Sequence, residues 1–392
     1  MPSRSQPSAT FRRSGKRVWA GVSSAALLLG MISGASAANA QGIGGPPPPV
    51  RSSIDENGVD LGSGQFTVSS VDLVIGQPSS GGLIYVRNFR GASWRDSLAG
   101  TIKSVGTTFT VSLGTGSSTF KKVGSTFTST EMDGASLTLN ITTQVYTYTD
   151  RSGTVAQFSK TLAEASPLEA NEGKIISIKT PSGETLTYFY KTVLISGFNY
   201  HRLQSVTNNH GYQIKIEYAL NAPINLGQLQ QFRSITKVTG LNNAVDYCDP
   251  AADVCSFSRT WPYVTFAHPA SNTQTVTDAS GRVTRYTLDT GGRITGIKRP
   301  ASAIDTTTIA YNAVDGTVSS VSRGGAQWTY GFSGDGTTLF AHVLDPVWDQ
   351  SGRTGDSRIE FRCRAEDGPL SCSSIGADRQ WIFGRRGDRD PS

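Results

Sequence analysis

The sequence predicts an all-β protein built largely from repeated hairpins, and three observations carry that expectation. Apolar and polar residues alternate in short runs between glycine-bearing turns, the pattern of half-buried strands. The motif DxxGRφT, with φ aliphatic, occurs twice in "VTDASGRVTRYTLDTGGRITGI" (276–297), the copies starting eleven residues apart at Asp278 and Asp289. Composition agrees: the 392 residues include 43 Gly and only 3 Met, and after residue 32 no long stretch shows a helical period.

The elements follow in order. Arg4, Arg12, Arg13, Lys16 and Arg17 precede an apolar run from Val18 to Ile32, and Ala38 and Ala40 supply an AxA-type cleavage site before Gln41. Residues 1–40 therefore read as a signal peptide for the general export route, since the run is shorter than the ~20 residues that span a bilayer. With the peptide removed, 31 basic residues face 30 acidic ones. The sequence pI near 9.1 thus gives no ground for nucleic-acid binding. The product is expected in the periplasm, at the cell surface or secreted, with membrane contact only during export.

Residues 41–58, opening "QGIGGPPPPVRSS", form a Gly/Pro-rich linker. From 59 to 160, short alternating strands such as "GLIYVRNF" and "SLTLNITTQVYTYTD" predict an N-terminal β domain, a sandwich or meander. A second rhythm runs from 161 to 352: apolar residues three apart recur in "IISI" (175–178), "LQSV" (203–206), "ITKV" (235–238), "ITGI" (294–297) and "VSSV" (318–321). Alternating strands ending in aromatics follow them, and the turn glycines Gly153, Gly183 and Gly211 fall 30 and 28 residues apart. One unit is a hairpin of about 30 residues, too small to bury its own apolar face without neighbours.

These residues resemble the YD repeat of RHS (rearrangement hotspot) proteins. The match covers Asp278, Gly281, Arg282, Thr284, Asp289, Gly292, Arg293 and Thr295, with Leu288 where that family has its Tyr. The resemblance implies hairpin repeats in a spiralling sheet, which in bacterial relatives encloses a C-terminal toxin and in animal relatives forms an extracellular adhesion body. About 200 residues of repeat supply too few strands for a closed shell, so an incomplete one is expected. The tail 353–392 holds eight Arg, no Lys and seven acidic residues, and repeat rhythm stops at its start. It reads as irregular: an out-of-frame end, a disordered charged terminus, or a short appendix.

Four cysteines allow three connectivities. Proximity favours Cys248 with Cys255, while the pairing of Cys363 and Cys372 is left open. No metal site is expected, because CxxC spacing is absent and no His lies near either pair. Nor is a cofactor or catalytic centre: GxSxG, HExxH and P-loop motifs are missing, and His201, His210, His268 and His342 are scattered. Carboxylates such as Asp55 and Glu56, or Asp345 and Asp349, could serve a glycosidase, but turn chemistry explains each more cheaply. Trp94, Trp261 and Trp348 are candidates for stacking on sugar rings. The function expected is an exported, non-catalytic scaffold that binds a cell-surface glycan or protein and no nucleic acid. The alternatives are the N-terminal part of a toxin-delivery polypeptide whose toxin domain is missing and, third, a secreted polysaccharide-acting enzyme.

Overall fold

A computed structural model describes residues 54–114, 116–166, 169–334, 338–348, 354–364 and 371–378, of which 165–169 and 334–378 are described by backbone alone. The expected signal peptide, most of the linker and the last fourteen residues lie outside the described part.

The fold is all-β and antiparallel. A small sheet comprises β1 (Val59–Asp60), β2 (Gln65–Ile75), β3 (Leu83–Arg90) and β4 (Ser93–Asp96), paired in chain order. The long sheet begins with β5 (Gly100–Val105), β6 (Thr108–Leu113), β7 (Gly116–Val123), β8 (Thr126–Ser129), β9 (Ser136–Asn140), β10 (Val145–Thr149) and β11 (Val155–Ser159). A separate hairpin, β12 (Glu164–Ser166) with β13 (Glu169–Asn171), precedes β14 (Gly173–Lys179). The meander then runs through β15 (Thr185–Ile195), β16 (Phe198–Asn208), β17 (Tyr212–Tyr218), helix α1 (Leu229–Arg233), β18 (Ile235–Asn242), β19 (Tyr263–Ala270), β20 (Thr273–Thr277), β21 (Val283–Leu288) and β22 (Ile294–Lys298). It continues with β23 (Thr307–Tyr311), β24 (Val318–Arg323), β25 (Ala326–Gly334), β26 (Thr338–Trp348), β27 (Thr354–Arg364) and β28 (Ser371–Asp378).

Strand β14 is a branch point. One edge pairs with β11; the other pairs with β5 at Gly173 and Lys174 and with β15 further along. Strands β5 to β11 and β14 therefore curl into a ring, which stays open where β8 lies beside β9 without a shared ladder.

The sequence reading placed a boundary between residues 160 and 161, but the sheet runs through it, since β11 pairs directly with β14. What stands apart is the small sheet, which packs across one face of β17 to β25. Tyr85 meets Phe266, Trp94 meets Tyr286 at 5.1 Å edge to face, and Trp94 Nε1 donates to Gln274 Oε1 at 2.8 Å. Gly240 permits the approach of β2, because a Cβ there would sit 2.8 Å from Ile75 Cβ. One continuous core results, with Tyr85, Phe89, Ile214, Val238, Tyr286 and Val321 all at 5 % exposure or less.

The tail also differs from its expectation. Residues 354–364 and 371–378 are strands that extend the meander from β26. The physical reason is visible in "SRIEFRCR", where Ile359, Phe361 and Cys363 alternate with charged residues; charge content had masked a period of two. The β27–β28 register sets Cys363 opposite Cys372.

Candidate functional site

The tandem motif forms a self-contained clip. Asp278 Oδ1 accepts from the backbone N–H groups of Ser280 and Arg282, both at 2.9 Å, and Oδ2 accepts from Arg282 Nε at 2.8 Å. The backbone closes the same loop, Gly281 N donating to Asp278 O at 2.9 Å, and Gly281 has φ +76°, a conformation only glycine adopts at no steric cost. Asp289 repeats this with Arg293, whose backbone N–H and Nε donate at 2.8 and 2.7 Å, while Arg293 Nη1 reaches Gly316 O. Partial burial pushes both carboxyls up, but the arginine backbone N–H and guanidinium hold them below the ordinary carboxylate value.

The same clip occurs where the motif has faded. Asp150 Oδ1 accepts from Ser152 N and Thr154 N, and Asn208 Oδ1 from His210 N and Tyr212 N. Thr180 keeps the backbone part, Gly183 N donating to its carbonyl, while its Oγ1 bonds Ser182 Oγ and donates to Glu184 O. Asp55, the first residue of "DENGV", accepts from Asn57 N and Val59 N, so the end of the expected linker is a clip too.

The apolar doublets have an equally local cause. Residues three apart in a regular strand point to opposite faces. At each of the five doublets, however, the ladder skips one residue: Ile176, Gln204, Thr236, Thr295 and Ser319 are unpaired between their neighbours. A β-bulge thus turns both apolar residues inward, and Ile294, Ile297, Val318 and Val321 are all at 2 % exposure or less. Opposite the first residue of each doublet stands Phe158, Tyr190, Tyr218, Leu288 or Tyr311. Two of these tyrosines fasten the preceding hairpin: Tyr311 Oη donates to Ile294 O at 2.8 Å, and Tyr218 Oη to Leu203 O.

The densest polar cluster lies on the other face of β16 and β17. The bulge at Gln204 brings Arg202, Gln204 and Ser205 there beside Lys215, and the connection 243–262 folds over them. Cys248 and Cys255 close this cap through a disulfide with Cα atoms 5.7 Å apart. Ser205 Oγ donates to Pro250 O at 2.7 Å and Gln204 Nε2 to Ala252 O at 2.8 Å; Lys215 Nζ also donates to Ala252 O. Arg202 donates to the Leu220 and Phe232 carbonyls and lies over the Tyr218 and Phe232 rings. Burial pulls the Lys215 ammonium down to about 8 against the attraction of Asp253. Beside this cluster, buried Glu164 pairs with Lys174 and Arg233 and accepts from His201 N at 2.8 Å. His201 Nδ1 bonds Thr192 Oγ1, and burial, then the Lys174 charge, lower the ring's pKa to about 4. The carbonyl oxygens of Pro250 and Ala252 in the cap accept from the donors beneath it, an arrangement that fastens the cover to the sheet.

Residues 269–304, which hold both clips and the bulge at Thr295, match the family model for the RHS Repeat. The chain carries an RHS repeat. No curated protein matches the chain. Among solved structures, a porin-like protein from Bacteroides uniformis aligns over 80 % of this chain and 97 % of its own at 12 % identity, with a TM-score of 0.19. A score that low carries no argument about fold or function.

Within the RHS repeat, Thr284 sits in β21 and Thr295 at the bulge, its Oγ1 donating to Thr287 O at 3.3 Å. The stacking candidates fare differently. Trp94 is half-buried against the core, packed edge to face with Phe89 and Tyr286, and the Arg87 guanidinium lies 4.2 Å over its ring. Its partners Gln274 and Tyr286 lie 180 or more residues away, at no spacing that the sequence reveals. Trp261 is half-buried and held through Nε1 by Asp246 Oδ2 at 2.8 Å. Trp348 ends β26, and its side chain lies outside the described residues. A recess of about 590 Å³ opens where the Asp55 clip meets β22 to β24, lined by Asp55, Glu56, Arg299, Thr306 and Arg323 among others. It was not anticipated, because it joins residues more than 200 apart.

Proposed function

We propose that the chain is an exported, non-catalytic RHS-type scaffold that binds a glycan or protein outside the cytoplasm. The observation that carries this reading is the internal use of the repeat's polar chemistry: the carboxylates of Asp278 and Asp289 are directed at their own turns, which leaves the motif no reacting group to offer. The recess beside the Asp55 clip, with carboxylates and guanidinia around an opening, is the natural seat for a polar ligand such as a saccharide. The toxin-enclosing alternative calls for a free inner face, whereas the small sheet covers the face of β17 to β25.

The test is to present the mature chain with immobilised polysaccharides and extracellular proteins while assaying reducing-sugar release. Retention without release is expected, and Arg323→Ala should weaken it. Release of sugar would sink the scaffold reading.

A further inference from the structure

The first three hairpins of the long sheet end in exposed aliphatic side chains. Val105, Val123 and Ile141 are 83 %, 69 % and 77 % exposed, each at the connection closing β5–β6, β7–β8 or β9–β10. Alternation of strand direction sets all three connections at one end of the ring. Their bases are locked together: Phe109, Phe127 and Tyr146, each close in sequence to its tip, meet pairwise with ring centroids 5.1 to 6.3 Å apart. Lys122 lies over Phe109 and Phe127, and Lys160 over Tyr146, which holds two ammonium groups at this end. Lys103 and Lys121 are exposed beside the tips. No acidic residue occurs from 103 to 130 or from 136 to 149, while Glu131, Asp133 and Asp150 fall on connections at the opposite end. The Glu172 carboxylate also reaches the tips, where it accepts from Ser104 Oγ and Tyr146 Oη.

We propose that these tips are a docking face for an anionic lipid bilayer surface, the three aliphatic side chains entering the headgroup layer and the lysines meeting lipid phosphates. The arrangement selects this occupant over a protein. Protein interfaces gather a contiguous apolar centre and are depleted of lysine, whereas here separate prongs stand among Thr107, Ser125, Thr142 and lysines. Interfacial binding scales with apolar area plus attraction to anionic lipid. Among the described residues no helix is long and apolar enough to cross a membrane. The inference is independent of the scaffold reading, because vesicle binding can fail while ligand retention persists, and the reverse.

The experiment is co-sedimentation of the mature chain with phosphatidylcholine vesicles with and without phosphatidylglycerol, at two salt concentrations. Binding only to the anionic vesicles, weakened by salt, is expected. V105S/V123S/I141S should lower partitioning by at least about tenfold, K103E/K121E/K122E should abolish the salt-sensitive part, and Met132→Ser, at the opposite end, should change nothing. A Val123→Trp variant should gain blue-shifted emission on adding anionic vesicles, which keeps the test independent of the stability of the triple variants. The proposal is overturned if the wild-type chain stays in solution, if the serine variant binds as the wild type does, or if Val123→Trp shows no shift. It is equally overturned if the serine substitutions abolish a concentration-dependent dimer instead, which would assign the tips to a second copy.

Discussion

At the scale of single residues, Asp289 shows how a repeat motif can be conspicuous and chemically closed. It accepts from both the backbone and the side chain of Arg293 at a half-buried position, so Asp289→Ala should cost about 1 kcal/mol in urea denaturation. Its carboxyl titrates below the ordinary value in the folded chain, so the stabilisation is complete above the unfolded carboxylate pKa and disappears as pH falls through the lower folded one. Asp289→Asn should therefore flatten the acid limb of a stability–pH curve. His201 acts at milder pH. Its folded pKa of about 4 lies below the unfolded 6.5, so the unfolded chain takes up the proton first and stability falls as pH drops between those values. His201→Gln should remove that slope, read from denaturation midpoints at pH 7 and pH 5. The clip was legible in the sequence because all its partners lie within five residues. The roles of Tyr311, Arg202 and Lys215 were not, since these partners sit 17 to 37 residues away and residue type alone does not name them.

At the scale of elements, the doublets were visible as a rhythm but not as a shape. Apolar residues at i and i+3 suggest helix, alternation suggests strand, and only a bulge reconciles the two. Ile294→Ala and Ile297→Ala should each cost about 2 to 5 kcal/mol, whereas Thr295→Ala between them should cost under about 1 kcal/mol; thermal unfolding of the three variants checks this. If either isoleucine behaves like Thr295, the bulge assignment is wrong. The cap over β16 and β17 makes a second prediction at this scale. Opening its ring of about eight residues through C248S/C255S should cost about 2.5 kcal/mol by loop entropy, with amide exchange rising first in the connection 243–262 and at Gln204 and Lys215. The cap's cysteines were readable from spacing, but nothing local announced which strands they cover.

At the scale of the whole molecule, the first strands and the last fully described ones meet. Tyr330 Oη donates to Asp55 Oδ2 at 2.6 Å and accepts from Asn57 Nδ2 at 2.8 Å, across more than 270 residues. Tyr330→Phe leaves Asn57, itself 2 % exposed, without this partner and should cost about 1 to 3 kcal/mol. Proteolysis near residue 60 should quicken in parallel, as the small sheet lifts more often from β17 to β25. The all-β class was legible, since alternation between glycine-bearing turns marks strands. The seat of the small sheet was not, because its contacts with Phe266, Gln274 and Tyr286 obey no spacing rule.

The meander's alternation has a bearing on how such a chain can change length. The tandem copies stand eleven residues apart, one strand and one turn, so copying one unit of the gene would send every later connection to the opposite rim. Copying two would leave each rim as it was. The tips at Val105, Val123 and Ile141 lie on one rim, while the connection 243–262 leaves β18 at the other before folding over β16 and β17, so only even-numbered duplications upstream preserve where later loops emerge. A tract that lengthens by pairs of strands keeps each later connection on its own rim however many strands it acquires.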